Sequence, residues 1–142
     1  MKKTNRRINP DHADYVEIAC PPIAGTTGGT YDLTSFRAFE FLAFRHTVIT
    51  DATLINRFAF ISLTGEGSAS YAVGANNSMG ASTTTNVTFM RGMGHAQIAL
   101  PLYAYGASFP IILNPQLFTY LPLSAQAGDV VQDCVLACKV WR

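Results

Sequence analysis

The chain has 142 residues, of which 49% are hydrophobic and only 13% are charged, and this length fits one domain with little room for a second. A typical soluble domain is about 25% charged, so ten basic and nine acidic residues are too few to cover an isolated monomer with mixed charge. Ser, Thr, Asn and Gln can supply part of the solvation, but we expect part of the surface to be buried against protein partners.

The basic residues are concentrated at the start of the chain. Lys2, Lys3, Arg6 and Arg7 give +4 in the first seven residues, and the rest of the chain, with six basic and nine acidic residues, nets −3. This pattern predicts a short basic arm on a mildly acidic body. Four charges are few for a nucleic-acid-binding arm, so we expect the arm to contact a neighbouring protein subunit and not nucleic acid.

Residues 1–35 show no sustained hydrophobic period and contain several prolines and the Gly-Thr cluster at 25–30. We interpret them as an extended arm followed by a loop, with one short strand at 15–19. The residues predicted to make arm contacts are Lys2, Lys3, Arg6, Arg7, Tyr15 and Ile18. Residues 36–142 are predicted to form the folded domain.

The rest of the chain reads as short strands separated by Gly, Pro and Asn turns. The predicted strands are 36–44, with 47–49 as an extension or neighbour, then 57–63, 68–73, 86–91, 95–100, 109–113, 117–123 and 130–141. Such a series indicates an all-β fold, a β-sandwich of the jelly-roll type. Residues 98–123 carry no charge, and uncharged strand edges are tolerated in an obligate oligomer.

The last segment, 130–141, also has the spacing of one helix face, but its four valines favour a strand. On a strand, one face holds Val130, Cys134, Leu136, Cys138 and Val140, and the other holds Val131, Asp133, Val135, Lys139 and Trp141. Two cysteines four residues apart on a strand are about 13 Å apart, too far to bridge or to share a metal. With an odd total of three cysteines, we predict buried apolar thiols and no disulfide.

The basic start is followed by a polar segment, so it does not resemble a secretory signal. The most apolar stretch, 98–113, is interrupted by Pro101, Gly106 and Pro110, so it is too short for a membrane span. We therefore expect assembly in a cytoplasm, with no membrane partner.

The motifs of common enzymes are missing. The chain contains neither a nucleophile elbow nor a phosphate-binding loop, and His12, His46 and His95 form no metal-binding pair in sequence. We expect no cofactor and no enzymatic activity. A glycosidase would have to pair two of the carboxylates Asp32, Glu40, Glu66, Asp129 and Asp133.

Two of these carboxylates fit structural roles better. Asp129 follows Gly128, as a turn-capping residue would, and Glu40 is placed for a cross-strand pair with a basic residue. The aromatics Tyr71, Tyr103, Tyr105 and Trp141 are candidates for a sugar-binding platform, but aromatics more often fill cores and interfaces.

Several short segments carry a resemblance to a known group of proteins. A run of small residues leads to Asn56-Arg57 and a hydrophobic strand at 58–63. A proline-flanked strand at 109–113 precedes a second at 117–123, and the turn Ala127-Gly128-Asp129 opens a final strand that closes with Trp141. Over residues 47–142 this arrangement resembles small virion proteins of tailed bacteriophages.

The resemblance implies a jelly-roll-like subunit, either a capsid decoration or cement protein or a head–tail component. Such a subunit is homo-oligomeric, binds virion proteins such as the major capsid protein, and enters the virion in the host cytoplasm. The resemblance transfers no catalytic residues. The alternative is a carbohydrate- or receptor-binding β-sandwich module of a tail or spike.

Overall fold

The computed structural model describes residues 10–75, 77–92, 96–99 and 102–142, which form an all-β fold with two short 3₁₀ turns at Pro10–His12 and Glu66–Ser68. The strands are β1 Asp14–Ala19, β2 Ile23–Ala24, β3 Gly29–Asp32, β4 Ala38–Ile49, β5 Phe60–Thr64, β6 Ser70–Gly74, β7 Thr84–Met90, β8 Ala96–Ala99, β9 Leu102–Gly106, β10 Ile112–Leu113, β11 Leu117–Tyr120 and β12 Val130–Trp141.

The strands form two sheets. The large sheet has the order β1-β12-β4-β7-β9-β8, with β10 added to β4 and β2 added to β12, and the small sheet has the order β3-β11-β5-β6. Apart from the parallel β7–β9 pair, the pairs are antiparallel. This confirms the predicted all-β class and is consistent with a β-sandwich.

The core is a layer of aromatic side chains that joins the inner faces of the sheets. Phe44 of the large sheet packs its ring 4.9 Å from that of Phe118 and 5.1 Å from that of Tyr120, both in the small sheet. Phe41 makes an edge-to-face contact with Phe109 at 5.2 Å, a favourable geometry for aromatic pairs. All of these rings are buried. Phe41 and Phe44 both face the core although they are three residues apart, because the β4–β12 register shifts between them.

The small sheet is closed tightly at one corner by an aromatic ring over a glycine. Gly29 lies opposite Tyr120 in the β3–β11 register, and a Cβ on Gly29 would lie 2.3 Å from the Tyr120 ring. The Tyr120 hydroxyl donates a hydrogen bond to the carbonyl of Pro21. Only glycine leaves room for this ring, so the residue type at position 29 is fixed by packing.

The last segment is a strand, as predicted, and it contains a bulge. Cys134 and Cys138 are free, buried thiols, and burial raises the pKa of each to about 12. The register slips between Gln132 and Val135, where Asp133 has a left-handed φ of 54°. The bulge changes which residues face inward, so Val131 is buried like Cys134 and Leu136, whereas Val130 is only half-buried. The predicted grouping of Val130 with Cys134 on one face is therefore wrong.

Part of the segment predicted to be an arm and loop belongs to the sandwich. β1 pairs with β12 along its whole length, and β3 pairs with β11, so the sheets begin at Asp14 and not at residue 36. The strand predicted at 15–19 is confirmed. The arm prediction for Lys2, Lys3, Arg6 and Arg7 lies outside the described residues and stays a prediction.

Several other strands differ from the sequence-based expectation: β10 covers only Ile112–Leu113 of the predicted 109–113, and β11 ends at Tyr120 and not at residue 123. β9 was not predicted, because Leu102–Gly106 follows Pro101 and alternates no polar residues; it lies parallel to β7 with both of its tyrosines buried. The strand predicted at 57–63 begins only at Phe60, since Arg57 and Phe58 form single bridges to Met79 and Leu123. Those bridges bring distant loops together at one end of the molecule.

Candidate interaction site at the loop end

Four loops meet at the end of the sandwich where β1, β4, β6 and β11 finish; we call this region the loop end. It comprises residues 20–28, 50–59, 75–83 without residue 76, and 121–129. Backbone hydrogen bonds tie the loops together: Gly25 N–H donates to the Asp129 carbonyl at 2.8 Å, Thr50 N–H to Thr83 at 2.9 Å, and Ser82 N–H to Asp51 at 2.8 Å. The loop end is therefore one connected unit.

At its centre lies a buried guanidinium held by two carboxylates, which we call the Arg57 cluster (Arg57, Asp51, Asp129). The Arg57 side chain is fully buried, and it meets Asp129 in a two-pronged pair with Nε–Oδ2 and Nη2–Oδ1 distances of 3.0 Å. Nη2 also donates to Asp51 Oδ1 at 2.5 Å. Planar pairing of this kind is the strong form of a charged hydrogen bond.

The remaining bonds of the cluster satisfy its carboxylates with backbone amides. Asp129 accepts from the N–H of Asp51 and of Gln126, both at 2.8 Å, the second being the turn-capping role predicted for it. Asp51 accepts from the N–H of Thr53 at 2.9 Å and of Gly128 at 3.1 Å. Two loops separated by more than 70 residues are thus locked together.

These contacts determine the charge states. Burial acts to raise the pKa of Asp129, but the hydrogen bonds from Arg57 and from backbone amides outweigh it, so the pKa lies below its ordinary value. The hydrogen bonds from Thr53, and then those from Gly128 and Arg57, lower the pKa of Asp51. Hydrogen bonding to Asp129 raises the pKa of Arg57. The cluster is therefore ionised at neutral pH.

The same guanidinium shapes the loop outside it. Nη1 of Arg57 donates to the carbonyls of Thr53 and Ile55, each at 2.6 Å, and these two carbonyls flank Leu54. Leu54 itself is 93% exposed, Ile55 is 42% exposed, and Leu123, bridged through Phe58, is 46% exposed. We call Leu54, Ile55 and Leu123 the apolar tip.

The loop end around the apolar tip carries little net charge. Asp51, Arg57 and Asp129 are the only charged residues in the described loop end, and they neutralise one another except for one net negative charge. A projecting leucine flanked by uncharged residues at 52–56 and fixed in place by a buried arginine suits contact with another apolar protein surface.

Of the residues predicted for arm contacts, the two that the structure describes, Tyr15 and Ile18, are not part of this site. Tyr15 is 60% exposed on β1, where its hydroxyl donates to Glu17 at 3.2 Å, and β1 only finishes at the loop end. Ile18 is half-buried against the core. The structure thus leaves Tyr15 open to a partner and uses Ile18 for internal packing.

The carboxylates weighed for glycoside hydrolysis contact different partners or are exposed. Asp32 accepts from the N–H and hydroxyl of Thr34 at 2.8 and 2.6 Å, and these bonds lower its pKa. Glu66 accepts from Asn114 at 2.6 Å. Glu40 forms an ion pair with Arg91, as predicted for a pair with a basic residue. Asp133 is exposed at the β12 bulge.

The aromatics considered for a sugar platform are mostly internal. Tyr103, Tyr105 and Trp141 are buried, and only Tyr71 is exposed, by 37%.

His46 is also buried, stacked 4.8 Å from the Phe44 ring, and burial lowers its pKa to about 3. Among the described residues, no group of three or more His, Cys, Asp or Glu side chains is placed to hold a metal ion.

The surface of the described residues includes open depressions. One, of about 540 Å³, lies beside Glu66 and Gln116, and another, of about 520 Å³, lies on the outer face of the large sheet between Arg45 and Asp133.

Across the described ranges, no helix has the length and hydropathy needed to span a membrane.

No protein-family model matches this chain, and no curated protein resembles it significantly in sequence. Sequence reasoning singled out both the Asn56-Arg57 and the Ala127-Gly128-Asp129 segments but did not pair them, since nothing in a single sequence links positions 57 and 129. The uncharged run of small residues around Leu54 was the available signal.

Proposed function

We propose that this protein is a virion structural subunit of a tailed phage, a capsid decoration or cement protein or a head–tail component. In this proposal it forms homo-oligomers and binds other virion proteins such as the major capsid protein. It acts by packing surfaces together and carries out no catalysis. The observation that carries the proposal is the apolar tip, an exposed hydrophobic contact that the Arg57 cluster holds ready.

The strand order supports a jelly-roll fold for this subunit. We take β1, β3, β4, β5, β6, β7, β11 and β12 as the eight principal strands. The first then pairs with the eighth, the second with the seventh, the third with the sixth and the fourth with the fifth. These pairs alternate between the two sheets, in the order 1-8-3-6 and 2-7-4-5. An eight-stranded ribbon rolled up in this way is typical of jelly rolls, which occur in viral capsid and lectin domains.

Pre-organisation supports the assignment of the apolar tip as a contact. Fully burying a leucine is worth about 1.5–3 kcal/mol, and ordering a loop on binding offsets such a gain. The bonds from Arg57 to the Thr53 and Ile55 carbonyls fix the loop before any partner arrives. The binding free energy of Leu54 is therefore not spent on ordering its own backbone.

The glycan-binding alternative receives less support. A sugar platform needs exposed aromatic faces, and three of the four candidate rings are buried. The fold alone does not discriminate, since jelly rolls serve in lectins as well as in capsids. Glycan binding is therefore measured alongside the oligomeric mass, so that the two roles can be distinguished.

The experiment compares the oligomeric mass of the wild type, Leu54→Asp and Met90→Asp by size-exclusion chromatography with light scattering. Met90 is also an exposed apolar residue, but it adjoins Arg91 on the large sheet, so it is a matched control. We expect an oligomeric wild type, a smaller Leu54→Asp species and an unaffected Met90→Asp. A monomeric wild type that binds on a glycan array would overturn the proposal in favour of the alternative.

Incorporation into particles tests the arm. Deleting residues 1–9 removes Lys2, Lys3, Arg6 and Arg7 and leaves β1 complete, whereas a deletion that reached residue 20 would remove β1 as well. We expect the shortened protein to appear at reduced occupancy in purified particles, with an unchanged circular dichroism spectrum. Full occupancy would contradict the arm contact.

A further inference from the structure

The small sheet ends at an open edge strand, β6. It pairs with β5 on one side and with no other strand of the described chain on the other. Gly65 N–H donates to the Ala69 carbonyl, and Ala75 N–H donates to the Ala59 carbonyl. The odd-numbered residues from 69 to 75 therefore form their backbone hydrogen bonds with β5. In an antiparallel ladder the bonding residues alternate, and the backbone groups of Ser70, Ala72 and Gly74 therefore point outward from the sheet.

Natural proteins guard such edges with charge. The edges β1 and β3 follow that rule, whereas β8 (Ala96–Ala99), at the opposite edge of the large sheet, contains no charged residue. β1, the edge of the large sheet, contains Asp14 and Glu17, and β3, the far edge of the small sheet, contains Asp32. β6 contains no charged residue, and none occurs anywhere from 67 to 90. Of the edges β1, β3 and β6, only β6 is left without this protection.

The edge also leaves an aromatic side chain half covered. Tyr71 lies opposite Leu63, and Val73 opposite Ile61; Leu63 and Ile61 are both fully buried, so Tyr71 and Val73 are on the inner face of the sheet. Tyr71 is nevertheless 37% exposed, because no strand lies beyond it. A further strand at this edge would cover its ring.

We propose that β6 pairs antiparallel with β6 of a second copy of this chain, about a two-fold axis through Ala72. In that register Ser70 meets Gly74 of the other copy, Ala72 meets Ala72, and Gly74 meets Ser70. Each is a hydrogen-bonded pair that exchanges two bonds, so about six hydrogen bonds form.

The second copy is the fitting occupant because the edge is its own complement. A two-fold interface brings the same patch of both subunits together, and here the outward residues are small and uncharged, so no like charges are opposed. The pairing joins two small sheets into one of eight strands and brings Tyr71 beside Val73 of the partner, where both lose exposure. The inference deepens the proposed function and rests on it in taking another copy as the partner.

Charge at the symmetry axis provides the test. Ala72 is exposed, so Ala72→Lys and Ala72→Glu are each expected to fold, but each places like charges directly opposite in the pair. We expect either variant alone to show half the wild-type mass by light scattering. A one-to-one mixture of the two should restore the wild-type mass, because lysine then faces glutamate.

The control is Thr30→Lys, which adds the same charge at an exposed position on β3, the opposite edge of the same sheet, and should leave the mass unchanged. Circular dichroism establishes that each variant is folded. Unchanged mass in Ala72→Lys, or a mixture that stays dissociated, would overturn the β6 pairing. If Leu54→Asp still reduces the oligomer in that case, the proposed function stands without it.

Discussion

The two sheets differ sharply in how they carry charge. β1, β4 and β12 of the large sheet hold six charged residues, namely Asp14, Glu17, Glu40, Arg45, Asp133 and Lys139, whereas the four strands of the small sheet hold only Asp32. The outer face of the small sheet instead presents Thr, Ser and Ala, among them Thr30, Thr119, Ser62 and Ala72, which share one row in the register.

This difference shows that the low charge of the chain is a local property. In the large sheet the charges are confined to β1, β4 and β12, and the strands β7, β8 and β9 carry none. The small sheet and the loop end are also poor in charge. The three charged residues of the loop end pair with one another in the Arg57 cluster. We infer that the small sheet and the loop end are the surfaces that meet other protein copies. The following changes test this inference.

The largest effect is expected from removing the cation at the loop end. Arg57→Ala leaves two carboxylates facing one another in a buried site, and breaking a buried pair costs about 3–5 kcal/mol. Chemical denaturation with urea would measure the loss in the free energy of unfolding.

The matched variant is Arg91→Ala, which removes the partner of Glu40 on the charged side. Arg91 is partly exposed, so we expect a cost below about 1 kcal/mol. Equal costs for the two arginines would mean that the loop end is no more dependent on its ion pairs than the charged face.

The next effect concerns the packing of the small sheet. Gly29→Ala places a methyl group against the Tyr120 ring, and overpacking of this kind costs about 1–3 kcal/mol. Gly80→Ala is the control, since a Cβ there meets nothing within 4 Å, and its thermal midpoint should stay close to that of the wild type. A Gly29→Ala midpoint equally unchanged would show that the Tyr120 ring can move aside.

The sequence was sufficient to predict much of the fold. Alternation, valine content and turn residues predicted β1, β4, the β5–β6 hairpin and the final strand, because these signals are local. The position of the β12 bulge was not predictable, since Asp133 adopts a left-handed φ only in the context of the register slip beside β4. Strand β9 was not predicted, because a buried parallel strand shows no alternation of polar and apolar residues.

The site was harder to predict than the fold. The Arg57–Asp129 pair joins residues 72 positions apart, and one sequence holds no information on such pairs. The uncharged composition did predict a hidden surface, but not where it lies; that required knowing that β6 is an edge and that Leu54 is exposed. Residues 1–35 were predicted to be an extended arm and loop, and strand pairing by β1 and β3 places residues 14–19 and 29–32 within the sheets.

A smaller effect is expected from acid, through the buried histidine of the large sheet. The pKa of His46 falls from an ordinary 6.5 to about 3 on folding because of burial. The unfolded chain then binds a proton that the folded chain does not, so stability is lost as pH falls below about 6.5. At about 1.4 kcal/mol per pH unit, the free energy of unfolding at pH 5 should be about 2 kcal/mol below that at pH 7.

His46→Phe keeps a ring between Phe44 and Phe89 and removes this proton. Its unfolding free energy should therefore change much less between pH 7 and pH 5, a window above the range in which Asp51 and Asp129 titrate, since their pKa values lie below 3.8. An identical pH slope in wild type and variant would contradict the assignment to His46.

The smallest change in stability is expected at the apolar tip. Leu54→Ser alters a side chain that is 93% exposed, so the free energy of unfolding should move by no more than about 0.5 kcal/mol. Association should nevertheless weaken by roughly tenfold or more, since about 1.4 kcal/mol corresponds to a factor of ten. Analytical ultracentrifugation over a concentration series separates the two effects, and unchanged association would exclude Leu54 from the contact.

Hydrogen–deuterium exchange of the wild type at low and high protein concentration tests the division between the two sides most directly. The account predicts that raising the concentration slows exchange in residues 70–74 and 51–56 and leaves the charged strand β1 unchanged. Slower exchange in β1 without any change in residues 70–74 and 51–56, or no dependence on concentration at all, would contradict it.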